Sequence, residues 1–220
     1  DEFALVVDAY QETSEKSEDY GQTLYFVNLL HTDGTVKTWL AEADMIALKG
    51  DLVTWEMIEA GDKYDTVKLT GLEYVQDKTH EIRIDERMLD NSYVTENVII
   101  FNIVHNVYGR NSDAEVLKWS DLPSGRISVG KLKYARTTGD FQDIDVLCFD
   151  NVLDEGIEFG LVTDYKTTST RESTTQTIKL LVGGKETSFT TEPVIGLATG
   201  CILRLRTLNG NILSAVKVEN

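Results

Sequence analysis

The feature that most constrains this chain is an internal repeat. Phe159–Asp164 reads FGLVTD and answers Phe3–Asp8, FALVVD, 156 residues earlier. Thr199–Leu205, TGCILRL, answers Lys49–Trp55, KGDLVTW, 150 residues earlier. In both members of the second pair a glycine ends a turn, and an apolar strand starts on the next residue but one. Phe189 likewise falls under Trp39 and Gly200 under Gly50 at the offset of 150. The offset changes across a polar loop, Gln11–Gly21 in one copy and Lys166–Gln176 in the other, where length changes are tolerated best. Constant offsets on both sides of one deletion imply two copies of one fold. The 220 residues leave room for two to three small units.

Within the first copy the expected order is strand Phe3–Tyr10, polar tip, strand Gln22–Leu30, a turn at Thr32–Gly34 and returning strand Thr35–Leu40. Ala41–Leu48 places Ala41, Met45 and Leu48 at spacings of four and three, which predicts a short helix. A strand from Leu52, a turn at Glu59–Asp62 and a strand Thr66–Tyr74 complete a small, closed or partly closed antiparallel barrel. In the last segment Ile178–Val182 and Lys185–Phe189 flank Gly183-Gly184 as Val27–Leu30 and Thr35–Trp39 flank Asp33-Gly34. Between the copies, strands are expected at Glu81–Asp85, Val98–Val104 and Glu115–Trp119. Trp119–Gly125 reads as a turn that Ser120 or Asp121 can cap. Gly130 stands for Gly50 there, and Gly139-Asp140 for Gly61-Asp62, in a weaker correspondence. The expected architecture is all-β: three consecutive small antiparallel barrel-like units with short helical turns, at 1–74, 75–156 and 157–220, the outer two homologous. No Pro/Gly/Ser-rich linker separates them, so they are expected to abut.

The phrases FALVVDAY, DGTVKTW and KGDLVTW, then VIIFNI, WSDLPSG and YARTTGDFQDIDVL, then FGLVTDY and GGKETSF, together resemble the repeated β-rich regions of bacterial surface-layer proteins. In particular they resemble those of Gram-positive proteins that carry S-layer homology domains. The helical S-layer homology domains, which anchor to the cell wall, are not among the residues. The resemblance implies an extracellular, cell-surface or cell-wall location and a structural role, as rigid spacer or lattice-contact region. The chain reads as a piece of a longer or processed protein.

Charge narrows the partners. With 37 acidic against 21 basic residues the formal charge is −16, which repels nucleic acid and anionic membranes. Val98–Val104 is interrupted at Asn102 and nothing approaches 18 consecutive apolar residues, so no membrane insertion is expected. The expected partners are neighbouring domains of the parent protein or copies of this chain, with glycan as the alternative.

No catalytic, cofactor-binding or metal-ligating residue is nominated, and the chain is not expected to be an enzyme. His31, His80 and His105 have no second His or Cys at metal spacing and read as exposed or edge residues. Asp143 and Asp145 share one face of a strand and could flank a substrate or hold a cation; alternation with Ile144 and Val146 reads instead as a solvated strand face. Asp62 and Asp65 read as turn residues. Ca²⁺ is possible, but only in a site assembled from loops or between molecules, since no DxDxDG loop exists. Cys148 and Cys201 lie in apolar strands and read as buried thiols, the alternative being a disulfide between two units. There is no GxSxG, SxxK, GxxxxGK[ST] or GxGxxG motif. Trp39, Trp55, Trp119, Tyr10, Tyr25 and Tyr134 could build a platform for sugar rings. Trp39 and Trp55 occupy repeat positions held by Phe189 and Leu205, which marks them as core; Trp119 is the better candidate for an exposed aromatic.

Overall fold

The computed structural model describes residues 2–15, 20–72, 81–105, 112–127, 129–192 and 194–218. The chain is all-β, with no α-helix among the described residues. It divides into two compact units, residues 1–152 and 153–220.

The first unit opens with β1 (Glu2–Thr13), β2 (Thr23–His31), β3 (Val36–Ala41), β4 (Leu52–Glu59) and β5 (Thr66–Gly71). They form a closed barrel in the order β1-β2-β3-β5-β4. Its closing pair, β3 with β5, is parallel rather than antiparallel, through Leu40 with Thr66 and Ala41 with Val67. The helix expected over Ala41–Leu48 contracts to a 3-10 turn at Ile46–Leu48. Eight residues cannot sustain an isolated α-helix. The Asp44 carboxylate instead accepts the Ile46 N–H (2.9 Å), and Gly50 turns the chain at φ +83°.

Alternation along β1 explains its unbroken apolar run. Ala4, Val6 and Ala9 point into the barrel, with Val27, Leu29, Val53, Val67 and Leu69. Phe3, Leu5 and Val7 point outward, yet they too are buried, with Leu30 and Leu52, against Phe101, Ile103, Val146 and Cys148 of the following sheet. A strand buried on both faces has no polar side to show.

That sheet is built from β6 (Ile82–Arg83), β7 (Met88–Leu89), β8 (Ser92–His105), β9 (Asp113–Leu117), β10 (Arg126–Ile127), β11 (Leu132–Thr138) and β12 (Asp143–Asp150). The strand order is β10-β6-β7-β8-β12-β11, with β9 also on β8. This segment is therefore not an antiparallel barrel. The central pair, β8 with β12, runs parallel from Val94 with Ile144 to Ile103 with Asp150. The intended counterpart of β4, which is β11, lies at the sheet edge, and Gly130 does not share the positive φ of Gly50. Asn102, the break in the apolar run, is fully buried and satisfied. Its side chain accepts the Val152 N–H (2.9 Å) and donates to Glu115 Oε1 (3.0 Å), fastening the end of β12 to β8 and β9.

The second unit contains β13 (Gly156–Ser169), β14 (Thr174–Val182), β15 (Lys185–Thr191), β16 (Ile202–Leu208) and β17 (Asn211–Lys217). The order is β15-β14-β13-β16-β17, the order of the first barrel without the closing pair, so this unit is a half-barrel. Val162, Ile178, Leu180, Leu203 and Leu205 fill its inner face. The loop before β16 is pinned over them by Gln176. Its amide accepts the Ile195 N–H (3.0 Å) and donates to the Ile195 carbonyl (3.2 Å).

Candidate functional site

A recess of about 830 Å³ opens on the first barrel. Tyr10 reaches it from β1, Phe26 from β2 and Tyr64 from the loop between β4 and β5. Phe26 is the hub. Tyr10 stacks on it with centroids 5.3 Å apart and planes at 16°, and Tyr64 meets it edge-on at 5.4 Å. The loop is shaped locally: the Gly61 N–H donates to Asp65 Oδ1 (3.1 Å), and the Asp65 carbonyl accepts the Leu40 N–H (3.0 Å). A Cβ on Gly61 would stand 2.2 Å from the Tyr64 carbonyl oxygen, so only glycine fits this turn.

Glu12, Glu15 and Asp62 line the recess, opposed by Lys63, whose ammonium sits 4.9 Å over the Tyr64 ring. Burial, with Glu12 adding to it, raises the Tyr10 phenol above its ordinary range, so it remains a neutral donor at pH 7. The chemistry on offer is aromatic surface from Tyr10 and Tyr64, carboxylate acceptors and a phenol donor. That suits a polyhydroxylated ring and supplies no nucleophile–base pair. Asp62 and Asp65 both belong to this turn, as expected, and Asp62 also lines the recess. Phe26 and Tyr64 were not singled out from the sequence; the one signal was an aromatic in the otherwise polar GDKYD.

A second aromatic group joins His31, Trp39 and Trp55 beside a recess of about 390 Å³ that Glu2, Asp33, Lys37 and Ile99 also line. Trp39 Nε1–H donates to His31 Nε2 (3.1 Å), and the Trp39 and Trp55 centroids lie 5.1 Å apart. His31 is buried rather than exposed, edge-on to Trp55 at 4.9 Å. Burial lowers its pKa, and Lys37 lowers it further, so the neutral ring keeps Nε2 as an acceptor. Both tryptophans are half-buried rather than fully core: they pack against the barrel interior and also line this recess, and Trp55 Nε1 is buried without a hydrogen-bond partner.

The other residues read from the sequence are dispersed. Asp145 is held by Arg136 through two hydrogen bonds, 2.9 Å from Nε and 2.6 Å from Nη2, so it is part of an ion pair rather than a solvated face. The same guanidinium lies 4.3 Å from the Phe3 ring centroid, which ties β11 to the barrel. Asp143 has no part in that pair. Trp119 is half-buried beneath the Arg87 guanidinium at 4.9 Å. Tyr25 packs on the barrel interior and Tyr134 on the barrel–sheet core. His105 is exposed, and His80 lies outside the described residues. Cys148 and Cys201 are free thiols, Cys148 fully buried. Among the described residues no three His, Cys, Asp or Glu side chains converge as metal ligands, and no helix is long and apolar enough to cross a membrane. Comparison with protein-family models, with curated proteins and with solved structures gives no match.

Proposed function

We propose that this chain is a non-catalytic structural segment of a bacterial cell-surface protein, of the kind that surface-layer proteins carry as repeated β-rich regions. It acts as a rigid spacer or lattice-contact region whose partners are neighbouring domains or copies of itself. The observation that carries this reading is the barrel-on-sheet core of the first unit. Phe3, Leu5, Leu30 and Leu52 are buried against Phe101, Ile103, Val146 and Cys148, so barrel and sheet move as one body. Apolar contact of this kind, rather than a flexible linker, is what a spacer needs.

The outer segments are, in this reading, two copies of one barrel. Their strand orders agree. Both first strands carry a bulge, between Val6 and Asp8 and between Val162 and Asp164. The Gly50 N–H donates to the Val6 carbonyl (2.7 Å) and the Gly200 N–H to the Val162 carbonyl (2.8 Å), at φ +83° and +90°. Trp39 pairs with Val27 as Phe189 pairs with Ile178. Gly50→Ala and Gly200→Ala should then each cost their own unit about 1–2 kcal/mol, the penalty of a side chain in left-handed backbone. A second unit indifferent to Gly200→Ala would break the equivalence.

The role is tested by self-association. A surface of −16 resists dense assembly unless the charge is screened, and repulsion between exposed charges is cut beyond about 10 Å at 0.1 M salt. Sedimentation at high concentration should show association that strengthens with monovalent salt, and more with millimolar Ca²⁺ bridging carboxylates between molecules. A strict monomer under every condition overturns the lattice-contact role.

The recess around Tyr10 and Tyr64 favours a second reading, a module that binds cell-wall or extracellular polysaccharide. Electrophoresis through gels containing cell-wall polysaccharide should then retard the protein, and Tyr10→Ala should abolish the retardation. Unretarded wild-type protein disposes of this reading.

A further inference from the structure

The half-barrel exposes a row of apolar side chains, beside the buried Arg204 that pairs with Phe159, and the row has an exact positional counterpart in the first barrel. Leu161 on β13 pairs directly with Leu181 on β14 and with Ile202 on β16, and Phe159 lies two residues along β13 on the same side. These four side chains are 40%, 38%, 46% and 55% exposed, in that order. Counting by register, they stand where Leu5, Leu30, Leu52 and Phe3 stand, and those four are no more than 3% exposed. The identities are kept (Leu, Leu, Ile for Leu, Phe) although the burial is not. Contiguous exposed side chains of this size mark an interaction surface.

The first unit shows what covers such a face: the parallel pair β8 and β12, presenting Phe101, Ile103, Val146 and Cys148. We propose that Phe159, Leu161, Leu181 and Ile202 form a docking face for a second mixed β-sheet module of the type formed by residues 81–152. The module would seat on the half-barrel as β8 and β12 seat on the first barrel. A second copy of this chain is a poor donor, because its own β8–β12 face is already occupied by Phe3, Leu5, Leu30 and Leu52. The contact would make barrel–sheet pairing the building step of the array. The proposal rests on the two-copy reading above.

The register also gives the junction. Lys217 pairs with Leu203 as Gly71 pairs with Val53, so Val218 stands where Leu72 stands. The test is the full chain to Val218 continued by a second copy of its own residues 73–152. The extension adds one cysteine, the copy of Cys148, which is fully buried beneath the barrel face in the first unit. Docking predicts that native extended protein has no more maleimide-reactive thiol than the parent. Leu161→Lys with Ile202→Lys in the extended protein should release one further thiol. The same two substitutions in the parent chain touch only exposed positions and should leave its circular dichroism unchanged.

An added thiol that reacts as fast as in urea overturns the proposal, whether the appended sheet is folded but undocked or fails to fold for want of a cover. A parent chain that sediments as a dimer broken by Leu161→Lys also overturns it, making a second copy the occupant. Failure of the two-copy reading shows separately, in the response of the second unit to Gly200→Ala.

Discussion

Leu52 of the barrel and Ile202 of the half-barrel occupy the same register position, and the barrel–sheet core predicts opposite consequences for truncating them. Leu52 is fully buried among Phe101, Val146 and Cys148, so Leu52→Ala removes apolar volume from a site that cannot collapse freely. Such substitutions cost about 2–5 kcal/mol. Ile202 is 46% exposed, and Ile202→Ala should cost less than about 1 kcal/mol. The assay is selective by composition. Trp39, Trp55 and Trp119, the three tryptophans of the chain, all fall in the first unit, so tryptophan emission follows that unit alone. With a urea slope of about 2 kcal/mol/M, the midpoint for Leu52→Ala should fall by about 1–2.5 M. Ile202→Ala should leave the tryptophan curve in place. A midpoint shift for Leu52→Ala below about 0.3 M would mean that barrel and sheet do not share a core.

Trp55→Ala should cost about 3–5 kcal/mol as a large aromatic deletion, whereas Trp55→Phe should cost far less, because it also removes a buried N–H without a partner; urea titration of both variants decides. His31 has its pKa lowered by burial, so its neutral form stabilises the fold fully above the unfolded value of about 6.5, and that stabilisation is lost as pH falls through 6.5 toward the folded value. The urea midpoint of wild type should therefore drop more than that of His31→Gln between about pH 7.5 and pH 5.5, and equal drops would remove His31 as the cause. Burial pushes the Cys148 thiol up to about 12, so native protein at pH 8 should be alkylated at the half-buried Cys201 and not at Cys148 until the first unit unfolds, as peptide mapping would read.

The parts of this fold that could be read from the chain are those written in short-range phrases. The glycine turns, the hairpins and the repeat offsets each need only neighbouring residues, and the all-β class follows from them. The run FALVV could be read as a strand, but not what covers its outer face. Phe101 and Val146 are about a hundred residues or more away, and no local pattern links them to Phe3. The middle segment misled for the same reason. Its turns resemble those of the barrels, but whether β11 or β12 lies beside β8 is decided by long-range pairing, and the parallel choice leaves no local mark. The candidate recess was half legible. Tyr10 was noted as an aromatic; Phe26 is its direct partner across the β1–β2 pair, while Tyr64 reaches Phe26 only from the distant loop between β4 and β5. His31 looked like a residue beside a turn because its partners, Trp39 and Trp55, come from later strands.

One difference between the barrel and the half-barrel accounts for both the closure and the recess. In the first, β4 and β5 are joined by residues 60–65, whose Asp65 carbonyl accepts the Leu40 N–H and so extends the β3–β5 closing pair. In the second, β16 and β17 are joined by Asn209-Gly210 alone, both at positive φ, a tight hairpin turn with no residue left over to reach β15. The longer loop is also the source of Asp62, Lys63 and Tyr64, which form one wall of the recess. Closure and recess thus occur together in the first barrel, while the described residues of the second unit have neither the closing pair nor a loop long enough to build such a wall. The outer apolar positions behave differently, since Phe159, Leu161, Leu181 and Ile202 retain their character while the loop does not. The recess described thus belongs to the closed barrel, whereas the outer apolar positions keep their character in both units, which is the division expected if, as proposed, association with β-sheet modules is the shared role and ligand binding an addition to one copy.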